Sequence, residues 1–176
     1  MDSDAQISYR FSRSSLPFDL DKSTGEIRSS RRLDREEGVS EFSVTVIAQD
    51  QGGKSDTTRV LIKLVDQNDN PPLLIYPKPS KDVIQITLGA KMNENVVNLK
   101  FEDKDQGKNG KILATLERQS SLLRLVGSKI VLAKNVERKD LGLHPTRIRL
   151  QDLGEPSLFT NTRVSLTFLI HRVSYY

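Results

Sequence analysis

The sequence contains no cysteine, which rules out a disulfide framework and a thiolate metal site and leaves the redox compartment unmarked. No apolar run approaches the roughly 20 residues a helix needs to span a bilayer. Met1 is followed by Asp2-Ser3-Asp4 rather than by the basic and apolar regions of a signal peptide. A secreted or membrane protein is therefore expected to be represented here by an internal piece. Helical periodicity is nowhere sustained, and no Asn-x-Ser/Thr sequon occurs.

Histidine is nearly absent too. His144 precedes Pro145 and His171 ends the last apolar run, and neither has a Ser or carboxylate partner at motif spacing. Gly107-Lys108-Asn109-Gly110 is a turn rather than a phosphate loop. A glycosidase-like carboxylate pair can be drawn among Asp34, Glu36 and Asp69, but a metal cluster accounts for all three and leaves no neutral acid. The chain is expected not to be an enzyme. Its net charge is +4, yet the basic residues are scattered and seldom interleaved with aromatics, so no nucleic-acid partner is expected.

What is present points to folded modules. The chain has 176 residues, 36% hydrophobic and 28% charged, too apolar for disorder and long enough for two small domains. Its most unusual stretch is Val65-Asp66-Gln67-Asn68-Asp69-Asn70-Pro71-Pro72. The prolines forbid helix and extend the chain, and the carboxylates and amides form a dense set of hard oxygen donors. Such a set suits Ca2+, which takes about 6 to 8 oxygens. The linker alone cannot fill that shell, so the joined segments must supply the rest.

Comparison across the linker shows a repeat. Asp2-Ser3-Asp4 returns as Asp103-Lys104-Asp105, and Gln49-Asp50-Gln51-Gly52 returns as Gln151-Asp152-Leu153-Gly154, at offsets that agree to within one residue. In the first copy, residues 7–11, 18–21, 26–28, 42–48 and 58–65 read as short strands, with Ser23-Thr24-Gly25 as a turn. In the second copy, 83–88, 96–101, 111–116, 122–125, 130–133, 146–151 and 163–170 read likewise. About seven short strands per module predict an all-β chain of antiparallel sandwiches with Greek-key connections.

An EF-hand is the sharpest alternative calcium reading. Counting from Asp105, Asn109 and Gly110 fall at loop positions 5 and 6, but Gly107 stands at position 3 and Leu116 at position 12, where a bidentate Glu belongs. An Asp in a turn commonly does no more than cap backbone N–H groups; it is the ordered set that points to metal.

That ordered set is Asp-x-Asp, Leu33-Asp34-Arg35-Glu36, Ala48-Gln49-Asp50-Gln51-Gly52 and Asp66-Gln67-Asn68-Asp69-Asn70-Pro71-Pro72. It resembles the serial calcium motifs of cadherin extracellular repeats, and the match covers nearly the whole chain. The resemblance implies two tandem seven-strand Greek-key β-sandwiches, immunoglobulin-like and of cadherin type, the first lacking its N-terminal strands. The partial repeat would span 1–72, with its linker at 66–72, and the second repeat 73–173.

The resemblance further implies about three Ca2+ ions at the junction. The first would take Asp34, Glu36 and Asp69. Glu36, Asp66, Asp69, Asp105 and the Gln67 carbonyl would hold the second. The third would take the Asn68 side chain, the Asn70 carbonyl, Asp103, Asp105, the Asn109 carbonyl and Asp152. The glutamate that the family places early in each repeat is missing from the first module. Asp2, Asp4 and Asp50 would serve a junction to an earlier module. At the far pole of the second module, Val136-Glu137-Arg138-Lys139 puts a lysine where a ligand carboxylate belongs, and no Ca2+ is expected there.

By resemblance the function is calcium-dependent adhesion or recognition at the extracellular side of the plasma membrane, as part of a single-pass protein whose signal and transmembrane segments lie outside this chain. The partner would be another cadherin-like ectodomain, homophilic or heterophilic, with membrane contact only through other parts of the parent. The alternative is a non-adhesive spacer within a large receptor ectodomain.

Overall fold

In a computed structural model, residues 6–13, 17–79 and 81–170 are described. The chain divides into two compact units, Met1–Asp66 and Gln67–Tyr176, so the residues that follow Asp66 group with the second. Described residues form strands and two single-turn 3-10 helices, Arg35–Glu37 and Arg138–Asp140. No helix among them is long and apolar enough to cross a membrane.

The first unit holds β1 (Ser8–Phe11), β2 (Phe18–Leu20), β3 (Ile27–Ser29), β4 (Glu41–Gln49) and β5 (Ser55–Lys63). β1, β4 and β5 form an antiparallel sheet in the order β1-β4-β5, and β2 and β3 form a hairpin. That hairpin turns at Gly25, whose φ of +75° a side-chain-bearing residue rarely adopts and against which the Tyr9 ring packs. Alternation along β4 buries Val44 and Val46. With Phe18 they are the buried apolar side chains among the described residues of this unit, Phe18 meeting Phe42 edge to face at 5.2 Å.

The second unit holds β6 (Leu73–Tyr76), β7 (Val83–Thr87), β8 (Asn95–Asn98), β9 (Lys100–Glu102), β10 (Leu113–Leu116), β11 (Leu123–Val126), β12 (Lys129–Leu132), β13 (Gly142–Gln151) and β14 (Phe159–Leu169). One sheet runs β10-β13-β14-β7, with β7 parallel to β14; the other strands pair as β11-β12-β8 and β6-β9. The nine segments amount to seven strands. β8 and β9 are one run broken at Leu99, its first half pairing with β12 and its second with β6. β6 and β7 are one opening strand that changes sheets across the Pro77-Lys78-Pro79 segment.

The segment 73–76, which opens the expected second repeat but is not among the strands read from the sequence, is strand β6. Leu74 is buried there while Leu73, Ile75 and Tyr76 are exposed. β13 begins earlier than alternation alone suggests and runs through Pro145. Proline is tolerated because β10 covers only Ile148–Gln151, leaving one edge of the first half of β13 without a ladder to break. Ile148 and Leu150 from β13, Val164, Leu166 and Phe168 from β14, and Ile130 and Leu132 from β12 fill the space between the sheets.

Candidate metal centre

In the first unit, the sequence Leu33-Asp34-Arg35-Glu36-Glu37-Gly38 makes a 3-10 turn. Asp34 is its N-cap, with Oδ1 accepting the Glu36 N–H at 2.8 Å. That bond holds the Asp34 carboxyl below its ordinary range. Burial, followed by the neighbouring Asp34 carboxyl, pushes Glu36 upward. The Arg35 guanidinium pairs with both Glu36 and Asp66, and all three side chains are largely buried. The turn thus aims Glu36 and Asp66 at one cation.

In the second unit, three loops come together. Asp103 Oδ1 accepts the Asp105 N–H at 3.0 Å, turning the Asp105 side chain inward to 7% exposure. Its carboxylate takes both the Asn70 N–H (3.1 Å) and Asn70 Nδ2 (2.9 Å), and Nδ2 also donates to Asp69 Oδ1 at 2.7 Å. Asp152 is fully buried, its carboxylate accepting N–H groups of Gly154 and Leu158, each at 3.0 Å. The Leu153 N–H donates to the Lys108 carbonyl at 3.2 Å, tying this loop to the 106–110 turn.

Asn68 completes the cluster. Its Nδ2 donates to the Pro156 carbonyl at 2.6 Å, while its Oδ1 is buried with no hydrogen-bond partner. An amide oxygen left this way is costly unless something electropositive meets it. Asn68 and Asn109 both crowd Gly154: a methyl there would lie 2.2 Å from Asn68 Nδ2 and 2.7 Å from Asn109 Oδ1. Gln67 is exposed, and its carbonyl accepts the Asp69 N–H at 2.9 Å.

Within the second unit, then, the structure brings Asn68 to Asn109 and the 152–156 loop, and brings Asp69, Asn70 and Asp105 together. Within the first it brings Asp34, Glu36 and Asp66 to the Arg35 turn. Asn70, expected to contribute a carbonyl, holds Asp105 through its side chain and N–H. Asp50 Oδ1 accepts the Lys54 N–H at 2.8 Å and closes its own turn; Asp2, Asp4 and His171 lie outside the described residues. Arg35 and Gly154 had no assigned role on sequence grounds. Gly154 was nevertheless marked by the repeat, standing where Gly52 stands in the first copy.

All-oxygen donors, buried carboxylates and an orphaned amide oxygen fit a hard cation such as Ca2+. The loop at 136–140 is different in kind. Lys134 Nζ donates to both oxygens of Asp140 at 2.8 and 3.0 Å, and Lys139 Nζ meets Glu137 Oε2 at 2.6 Å. The Lys134 hydrogen bond holds Asp140 below the ordinary carboxylate range, as Lys139 does for Glu137. Ammonium groups supply the positive charge at that loop.

The folded units and their donor loops define a protein of tandem β-sandwich repeats. The family model for the cadherin domain matches residues 1–65. Protocadherin gamma-B4 of Pan troglodytes is 30% identical over 168 residues, covering 92% of this chain and 18% of that protein. Human protocadherin-16 is 33% identical over 142 residues, covering 74% and 4%. A crystal structure of the protocadherin gamma-B4 extracellular domain superposes with a TM-score of 0.80 at 30% identity, covering 93% of this chain and 26% of that one. The chain belongs to the cadherin family, with repeats of protocadherin type. It spans about a fifth of the length of protocadherin gamma-B4.

Proposed function

We propose that this chain is an extracellular recognition segment whose two repeats are held in register by Ca2+ bound through Asp34, Glu36, Asp66, Gln67, Asn68, Asp69, Asn70, Asp103, Asp105, Asn109 and Asp152. The observation that carries the reading is the buried, unpartnered Asn68 Oδ1 in a loop cluster that also holds the buried carboxylates of Asp105 and Asp152. Bound Ca2+ would supply the positive charge that this many carboxylates need. Glu36, Asp69 and Asp105 are the residues assigned to more than one of about three ions.

The protein's own side chains do the preparatory work. Asn70 and the Asp103 cap fix the rotamer of Asp105, and two backbone N–H groups fix Asp152. Calorimetric titration with Ca2+ of the chelator-stripped chain and of Asp105→Ala tests the reading. The parent is expected to take up Ca2+ and the variant to lose a large share of both heat and stoichiometry. A parent that takes up no Ca2+ overturns it. Kinship with protocadherins supports adhesion through a second cadherin-like ectodomain. Concentration-dependent self-association in Ca2+, measured by analytical ultracentrifugation, is the expected result, and a strict monomer would favour a spacer role.

A further inference from the structure

Charge is unevenly spread over the second unit. Residues 67–176 contain 17 Lys and Arg against 11 Asp and Glu, and four of those acids, Asp69, Asp103, Asp105 and Asp152, are gathered in the loops described above. The surplus positive charge lies elsewhere, and one part of it surrounds a groove.

The groove follows from unequal strand lengths. β10 has four residues and β13 ten, so β10 pairs with Ile148–Gln151, the Glu117 N–H adds a last bond to the Arg147 carbonyl at 3.1 Å, and Gly142–Thr146 is left uncovered on that side. The crossover from β10 to β11 passes over this gap and leaves an open groove of about 570 Å3, lined in part by Arg118, Ser120, Ser121, Arg147 and Arg163. A second depression shares Arg147 and Arg163 and carries the lining on to Asn161 and Thr162. The site is therefore elongated.

Its charge is poorly balanced. Arg147 and Arg163 are directly opposite each other on β13 and β14, a like-charge cross-strand pair that disfavours the sheet unless an anion lies against both. Arg147 has Glu117 at 3.9 Å, the outer limit of an ion pair, and among the described residues neither Arg118 nor Arg163 has a carboxylate partner. Ser120 Oγ accepts the N–H groups of Leu122 and Leu123, both at 3.1 Å, so its own hydrogen remains to be donated.

Three guanidiniums and a hydroxyl donor along one trough match a row of oxyanions. The one aromatic ring in its lining, His144, is half-buried, held to the Asp140 carbonyl at 2.8 Å and packed edge to face on Phe168, so the groove lacks the row of exposed stacking platforms that single-stranded nucleic acid uses. Pro145 sits on the open edge without an N–H, which disfavours an added peptide strand. We propose that this groove binds a sulfated polysaccharide. The choice of that polymer rests on the extracellular reading above; the groove itself does not.

The test is the salt concentration at which the full chain elutes from immobilised heparin, together with titration against heparin, N- and O-desulfated heparin, inorganic sulfate and anionic phosphatidylserine vesicles, all in EDTA. Retention of the parent, loss of binding to the desulfated chain, and about tenfold or greater weakening in Arg147→Ser/Arg163→Ser and in Arg118→Ser are expected. Lys91→Ser and Lys100→Ser, outside the groove, are expected to stay within about twofold. Removing a like-charge pair should leave the thermal midpoint unchanged or raised, which separates lost binding from lost folding.

Equal weakening by the control lysines, equal binding of desulfated heparin, or no retention at low salt would overturn the proposal. Tighter vesicle than heparin binding through the same arginines would replace the saccharide with a lipid surface. Because EDTA is present throughout, heparin binding does not depend on the Ca2+ reading. Surface labelling of cells expressing the parent would report on the extracellular premise separately.

Discussion

Gly154 and Asn68 approach so closely that the α-hydrogen of one occupies the only space left by the amide of the other; a methyl on Gly154 would sit 2.2 Å from Asn68 Nδ2. Gly154→Ala must therefore push Asn68 off the Pro156 carbonyl or open the 152–156 loop. The expected cost is about 1–3 kcal/mol of stability, with a marked fall in Ca2+ affinity. Urea unfolding and calorimetry check both; an unchanged titration would show that Asn68 does not face the ion.

Asp152 is more than a donor. Its carboxylate holds the N–H groups of Gly154 and Leu158 at full burial, so Asp152→Ala should destabilise the second unit by about 1–3 kcal/mol even in EDTA, because buried donors are left unpaired. A variant as stable as the parent in chelator would mean that the loop finds other acceptors.

The Lys134–Asp140 pair gives a pH signature. Asp140 is held below its ordinary 3.8, chiefly by the Lys134 hydrogen bond. A depressed carboxyl contributes stability that is complete above its unfolded value and is lost as pH falls through the folded one. The parent should therefore lose stability more steeply below about pH 4 than Asp140→Asn, followed by thermal midpoint against pH. Equal slopes would place the pair outside the folding equilibrium.

Ile148 and Leu166 are fully buried on adjacent strands. Either residue changed to Ala should cost about 2–5 kcal/mol, read by circular dichroism in urea. A loss well under 1 kcal/mol would mean that this part of the sandwich collapses around the gap.

Alternation of apolar and polar residues made most strands legible, because β4, β13 and β14 each have one buried face. Leu73-Leu74-Ile75-Tyr76 was not, since it lacks alternation and stands between Pro72 and Pro77; only its pairing with β9 makes it a strand. The break at Leu99 was hidden for a related reason, as nothing local says that the two halves choose different partners. In the loops, residue types could be read but neighbours could not. That Asn70 grips Asp105 and that Asn68 rests on Gly154 depend on how the sandwich returns its turns to one end, which no local pattern records.

The parallel pairing of β7 with β14 bears on how the second unit responds to force. Tension entering ahead of β7 and leaving after β14 draws the two in opposite directions along their shared ladder, from Val83 opposite Ser165 to Thr87 opposite Leu169. The hydrogen bonds are then loaded in shear, all at once, instead of being peeled open one by one. A module wired this way resists pulling between its ends, the load that a tether between two surfaces would carry.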